Sequence, residues 1–178
     1  MSFITPPTFA GHGTVASADL NTLSGDLNYL NRRGAVRLQR SADLSVANDT
    51  ITPVDFDMES FDTPDNDLHS LSSNTTRITI PTGKAGIWVV GASVQFAANA
   101  TGYRQLTLRL NGVTNLAQQT VNAVTASAIQ TSMTVVVLSQ FSAADYVECV
   151  VRQTSGAALA LSHIVDSSPV FWAVCVHG

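Results

Sequence analysis

The residues able to carry chemistry are few and scattered. The chain of 178 residues holds four histidines, His12, His69, His163 and His177, and two cysteines, Cys149 and Cys175. No His-x-His or His-Glu-x-x-His spacing occurs that would set two imidazoles on one metal, and neither cysteine has a second cysteine or a histidine at ligand spacing. No serine lies in a Gly-x-Ser-x-Gly turn, and Gly11-His12-Gly13 and Gly83-Lys84-Ala85-Gly86 lack the remainder of a phosphate-binding loop. Two carboxylates are all that glycoside hydrolysis requires, so the acids between Asp55 and Asp67 are the one group with catalytic potential by type. Their other reading is a solvated loop. The run Asp62-Thr63-Pro64-Asp65-Asn66-Asp67 has carboxylates for calcium but neither the spacing nor the glycine of an EF-hand loop. The expectation is a protein that is not an enzyme, with no catalytic residue, no cofactor and no metal.

Charge narrows the partners. Only 12% of residues are charged, against about a quarter in ordinary domains, and the net charge is -4 with Lys84 as the single lysine. Nucleic-acid binding is not expected, because tight binding needs a basic footprint. Membrane insertion is not expected either: the longest apolar run, Val135-Val136-Val137-Leu138, is far short of the roughly 20 residues a helical span requires. The opening Met1-Ser2-Phe3-Ile4-Thr5-Pro6-Pro7 has no basic and apolar pattern of a secretory signal. The two cysteines fall in different strand-like segments, leaving open two buried thiols or a disulfide.

The elements that position these residues follow from periodicity. Thr, Ser, Ala, Asn and Val stand where charge is missing, a composition suited to pleated sheet. Residues 1–15 read as an extended arm. A helix is predicted over 18–33, with Ser17 as N-cap, Asp19 in the first turn, Arg32 and Arg33 in the last and Gly34 beyond. Its Leu20, Leu23, Leu27 and Leu30 recur at 3-4-3 spacing, an a/d seam that continues back to Ala16. So short a helix, carrying Thr22 and Gly25, is marginal alone. It must pack on its own domain, on copies of itself, or on another protein.

From Gly34 onward the period becomes two. Strands are predicted at 35–40, 50–56, 77–81, 87–97, 103–110, 113–119, 128–138, 145–154, 159–163 and 170–176, with Pro53 marking an edge and Gly91 a bulge or a close approach. Residues 55–67 and 139–144 read as loop and turn. Asn111-Gly112 is the strongest hairpin signal, since a type I′ turn needs positive φ at both positions. Many short strands without intervening helices predict an all-β sandwich or jelly roll.

Particular segments then carry a resemblance. Val54-Asp55-Phe56-Asp57, Arg77-Ile78-Thr79-Ile80-Pro81, Gly86-Ile87-Trp88, Arg104 to Gly112 and Ala144-Asp145-Tyr146-Val147, in that order, resemble the C1q/TNF-like jelly roll over residues 35–178. Ala144-Asp145 and Gly86-Ile87-Trp88 stand where the family usually has Gly-Asp and Gly-x-Tyr. The opening, Phe9-Ala10-Gly11 then Val15 to Thr22 and Leu27-Asn28-Tyr29-Leu30, is similar to leaders of small virion proteins of tailed bacteriophages. Together these imply a structural protein of the virion, made in the bacterial cytoplasm: a capsid decoration protein, head fibre or minor tail protein. The resemblance divides the chain into an attachment segment, 1–34, and a jelly-roll domain, 35–178, that projects outward.

The same resemblance implies a homotrimer whose other partners are major capsid or tail proteins. Leu20, Leu23, Leu27 and Leu30 are the expected particle contacts. Phe56, Trp88, Tyr103, Phe141, Phe171 and Trp172 are candidates for the threefold interface, with the core as the alternative home for the same residues. The rival reading is an adhesin module of a tail fibre or spike that binds host-surface glycans, with Asn99 to Tyr103 as a recognition loop.

Overall fold

The computed structural model describes residues 16–31, 34–63, 67–124 and 129–177. One helix, α1 (Ser17–Asn31), precedes twelve strands: β1 (Ala35–Gln39), β2 (Leu44–Val46), β3 (Thr52–Pro53), β4 (Met58–Thr63), β5 (Arg77–Thr79), β6 (Gly86–Phe96), β7 (Tyr103–Leu110), β8 (Thr114–Asn122), β9 (Thr131–Phe141), β10 (Tyr146–Gln153), β11 (Leu159–Leu161) and β12 (Val170–His177). The amides of Asp19 and Leu20 donate to the Ala16 carbonyl. The helix therefore begins one residue earlier than expected, with Ser17 already inside it rather than capping it. Leu30 as a side chain, Arg32, Arg33 and the arm lie outside the described residues.

Two antiparallel sheets face each other. The larger has seven strands and runs β2-β11-β6-β12-β1-β4, with β9 on the other side of β6. The smaller has five and runs β3-β10-β7-β8, with β5 also on β10. Pro53 sits in β3, which pairs only with β10, as a residue lacking an amide donor should. The Asn111-Gly112 turn joins β7 to β8, both residues having positive φ, 50° and 71°. Asn111 is further held from β10: its side-chain amide donates to Asp145 at 2.8 Å and accepts from the Tyr146 amide at 2.9 Å.

Alternation along each long strand sends one set of side chains inward. Val36, Leu38, Trp88, Val90, Val94, Phe96, Phe171 and Ala173 of the large sheet meet Leu106, Leu108, Val147, Cys149 and Val151 of the small one in a single buried cluster. Phe56 and Phe171 stack with ring centroids 5.4 Å apart. The Trp88 indole lies under Gly34 and donates to the Lys84 carbonyl at 3.1 Å. Cys149 and Cys175 are both buried and are not joined in a disulfide, and burial pushes the Cys149 thiol well above its ordinary value.

Several expectations change, and the strand predicted over 50–56 is reduced to β3 (Thr52–Pro53). The segment 55–67 is not one loop: β4 occupies its middle and pairs with β1 across a register shift at Arg37/Leu38. The segment 139–144 is not all turn, because β9 continues to Phe141. β2, three residues paired with β11, has too little sequence for any periodicity to show.

Candidate interaction surface

Four of the acids of 55–67, Asp55, Asp57, Asp62 and Asp67, have separate internal partners. Asp55 pairs with Arg40, the Asp57 carboxylate accepts from the Ser41 amide and hydroxyl, and Asp67 pairs with Lys84. Asp62 is buried and accepts the Leu68 and His69 amides at 3.0 and 2.9 Å. Burial pushes its carboxyl above the ordinary value despite those two donors. At Asp57 burial acts upward too, but the Ser41 hydroxyl and amide outweigh it, leaving that carboxyl below the ordinary value. Asp65 lies outside the described residues. Among the described residues no three His, Cys, Asp or Glu side chains are grouped to hold a metal ion. A cleft of about 380 Å³ is lined by Ala85, Gly86, Ile87, Gln140, Phe141, Ser142, Ala143 and His177. It presents one imidazole and no carboxylate, so it has no acid and base pair.

The feature that stands out is a face rather than a pocket. On the outer side of the large sheet, register lines up Val136, Gly91, Trp172, Arg37 and Phe61 across β9, β6, β12, β1 and β4. The next row is Leu138, Val89, Val174, Ala35 and Thr63. Leu138 is 64% exposed, Val136 53% and Val174 41%, and Ile87, Val176, Phe61 and Met58 are also exposed. Arg37 is the one charge in these two rows, and it is turned aside by hydrogen bonds to Ser60 and the Asp166 carbonyl. Contiguous exposed aliphatic side chains of this kind are uncommon on the surface of a monomeric protein.

The outer side of the small sheet is the opposite case. Gln105 donates to Thr120, Thr107 to Gln118 and Arg109 to Asn115. The guanidinium of Arg77 lies 4.4 Å from the Tyr146 ring centroid and that of Arg152 5.9 Å from the Tyr103 centroid. Its side chains are mostly polar and several of them pair with one another, so the face is compatible with water.

The expected interface aromatics divide accordingly. Phe56, Trp88, Phe141 and Phe171 are at most 2% exposed within one chain. They belong to the chain's own core, because the small sheet already covers them, and they are not available to a second copy. Tyr103 is on the outer side of the small sheet, away from the apolar face. Only Trp172 lies on that face, seated over Gly91. Sequence reasoning missed Val136, Leu138, Val174 and Val176. Their signals were the runs Val135 to Leu138 and Val170 to Val176, in which apolar residues occupy both sides of a strand where alternation would leave one side polar.

The other expected sites lie apart from this face. Leu20, Leu23 and Leu27 on α1 are 53%, 42% and 55% exposed. The recognition loop of the adhesin reading is held from within. Arg104, fully buried, donates to the carbonyls of Thr101, Tyr103 and Asn99 and to the Asn99 side chain. The Asn99 side-chain oxygen also accepts the Thr101 amide, and burial depresses the Arg104 pKa. The acceptor that a sugar hydroxyl would use at Asn99 is already taken inside the protein.

No family model and no curated protein matches the sequence. Among solved structures the fold is similar to that of murine APRIL at pH 5.0, with TM-score 0.58 and 14% identity over 82% of this chain and 100% of that one. It is similar to Eiger TNF from S. frugiperda, with TM-score 0.56 and 14% identity over 82% and 93%. The globular domain of zebrafish complement 1qA protein gives TM-score 0.54 and 14% identity over 80% and 97%. At such identities the likeness is one of fold alone, and it agrees with the two-sheet antiparallel order described above: the chain has a C1q/TNF-like jelly-roll fold.

Proposed function

We propose that this chain is a non-enzymatic structural protein of a tailed-bacteriophage virion, a homotrimer fastened to the capsid or tail through residues 1–34 and projecting its jelly roll outward. The observation that carries self-association is the asymmetry between the two outer faces, and the likeness to C1q/TNF-like domains supports three as the number of copies. On the small sheet Gln105 pairs with Thr120 and Thr107 with Gln118, while the large sheet leaves Val136, Leu138 and Val174 exposed among the described residues. Covering that face removes apolar area from water at about 25 cal/mol per Å². Three copies around an axis through this face close the assembly without leaving an apolar patch open, as a cyclic interface must. The virion assignment is supported by the resemblance of residues 9–30 to phage leaders.

Two measurements test the reading. Sedimentation equilibrium of the full chain is expected to give three times the 18.8 kDa chain mass; a monomer at micromolar concentration would defeat the trimer. Removal of residues 1–33 is expected to leave a trimer that no longer cosediments with phage particles, and retained particle binding would defeat the attachment role.

A further inference from the structure

The geometry points to a parallel three-stranded coiled coil made by α1 of three copies of this chain, with Leu20, Leu23 and Leu27 in its seam. This inference rests on the trimer proposed above. It gives the leucine stripe to neighbouring copies and leaves residues 1–15 and the polar side of α1 for the particle.

Four observations carry it. The stripe is exposed at all three described leucines, so among the described residues of one chain it has no full cover. Its spacing is the heptad alternation of a and d positions, continued back to Ala16. Asp19 and Ser24 fall at the flanking g and e positions, where a parallel pairing sets a carboxylate of one helix against a hydroxyl of the next rather than against a like charge.

The fourth observation is where the helix joins the sandwich. Asn31, the last helical residue, is followed after only residues 32 and 33 by Gly34, a span of at most about 11 Å. Gly34 is fixed: it is buried against the Trp88 ring, and its carbonyl accepts the Cys175 amide at 2.9 Å. Ala35, the next residue, belongs to the second row of the apolar face. Three sheets meeting on that face therefore bring three α1 attachment points together.

Two heptads do not associate on their own, because a helix of this length is marginal in water. Tethering changes the arithmetic: short linkers give effective concentrations in the millimolar range, so association becomes intramolecular. Leucine at both a and d does not by itself specify three strands. The sandwich sets the number, and the helices follow it.

The test uses the full-length protein with Leu23→Cys, and with Asn21→Cys as the control on the opposite side of α1. Both native cysteines are buried and do not interfere. Each variant is weighed by sedimentation and then mildly oxidised. The expected result is a trimeric mass for both, and covalent dimer for Leu23→Cys in about tenfold higher yield than for Asn21→Cys, since a disulfide forms only where Cα atoms come within about 7 Å. Equal yields from a trimer overturn the coiled coil and leave the trimer standing; a monomeric mass overturns both. As a second readout, Leu23→Asp with Leu27→Asp is expected to abolish the helical far-ultraviolet signal while the mass stays trimeric. Helix retained in that double variant overturns the inference.

Discussion

The indole of Trp172 occupies the space in which Gly91 would otherwise carry a side chain. The two residues are direct partners on β12 and β6, and a Cβ built on Gly91 falls among the Cζ2, Cε2 and Cη2 atoms of the ring. The middle of the apolar face is thus a tryptophan laid on bare backbone. Gly91→Ala is expected to displace the ring and to destabilise the protein by about 1–3 kcal/mol, the usual cost of overpacking. Tryptophan emission and the urea midpoint check it: the Trp172 contribution should shift to the red, while Trp88 stays buried.

Leu138 and Val174 face outward from the same row of the sheet, on either side of Val89, and contribute little to the chain's own core. Changing both to Glu places charges where apolar contact is proposed, which is prohibitive when unpaired and buried. The double variant is expected to sediment as a folded monomer with an unchanged β-sheet spectrum. A trimer of unchanged stability would remove this face from the interface.

Arg104 holds three backbone carbonyls and the Asn99 side chain from a fully buried position. Arg104→Met keeps much of the volume and orphans those acceptors, so a loss of about 2–4 kcal/mol is expected. Asn99→Ala removes one acceptor and should cost less. Chemical denaturation of both variants gives the order.

Ala144 has φ 70°, in the left-handed region, while its amide donates to the Ile80 carbonyl at 2.8 Å. A Cβ in that conformation costs about 1–2 kcal/mol, part of which glycine returns through its freer unfolded chain. Ala144→Gly is therefore expected to raise stability by about 0.5–1 kcal/mol, read as a higher urea midpoint at unchanged slope.

Asp62 titrates above the ordinary carboxylate value because it is buried. Between the unfolded-state value near 4 and its own higher value, the folded state binds more protons than the unfolded one, so its contribution to stability falls as pH rises through that window. Asp62→Asn is expected to remove this component. The difference in unfolding free energy between wild type and variant should slope through that window and be flat above it; a difference independent of pH would refute the assignment.

Much of the fold is written in local pattern. Period-two alternation in 35–40 and 103–110 reflects strands with one covered side, and positive φ at Asn111-Gly112 is demanded by the residue types themselves. Gly91 was legible as a close approach, though nothing local named Trp172 as what approaches it. β4 was hidden because its acids suggested solvent, while Asp62 is buried by accepting two backbone amides.

What the chain alone determined, then, is the all-β class, the hairpin and the heptad seam, since each depends on neighbours a few residues apart. Which side of each strand is core and which is surface was decided only by the stacking of two sheets drawn from distant segments. Alternation fixes the parity of a strand but not its direction. That is why Phe56, Trp88, Phe141 and Phe171 lie inside the chain and Val136, Leu138 and Val174 outside it: burial depends on the sheet that lies opposite, and residues far apart in sequence supply it.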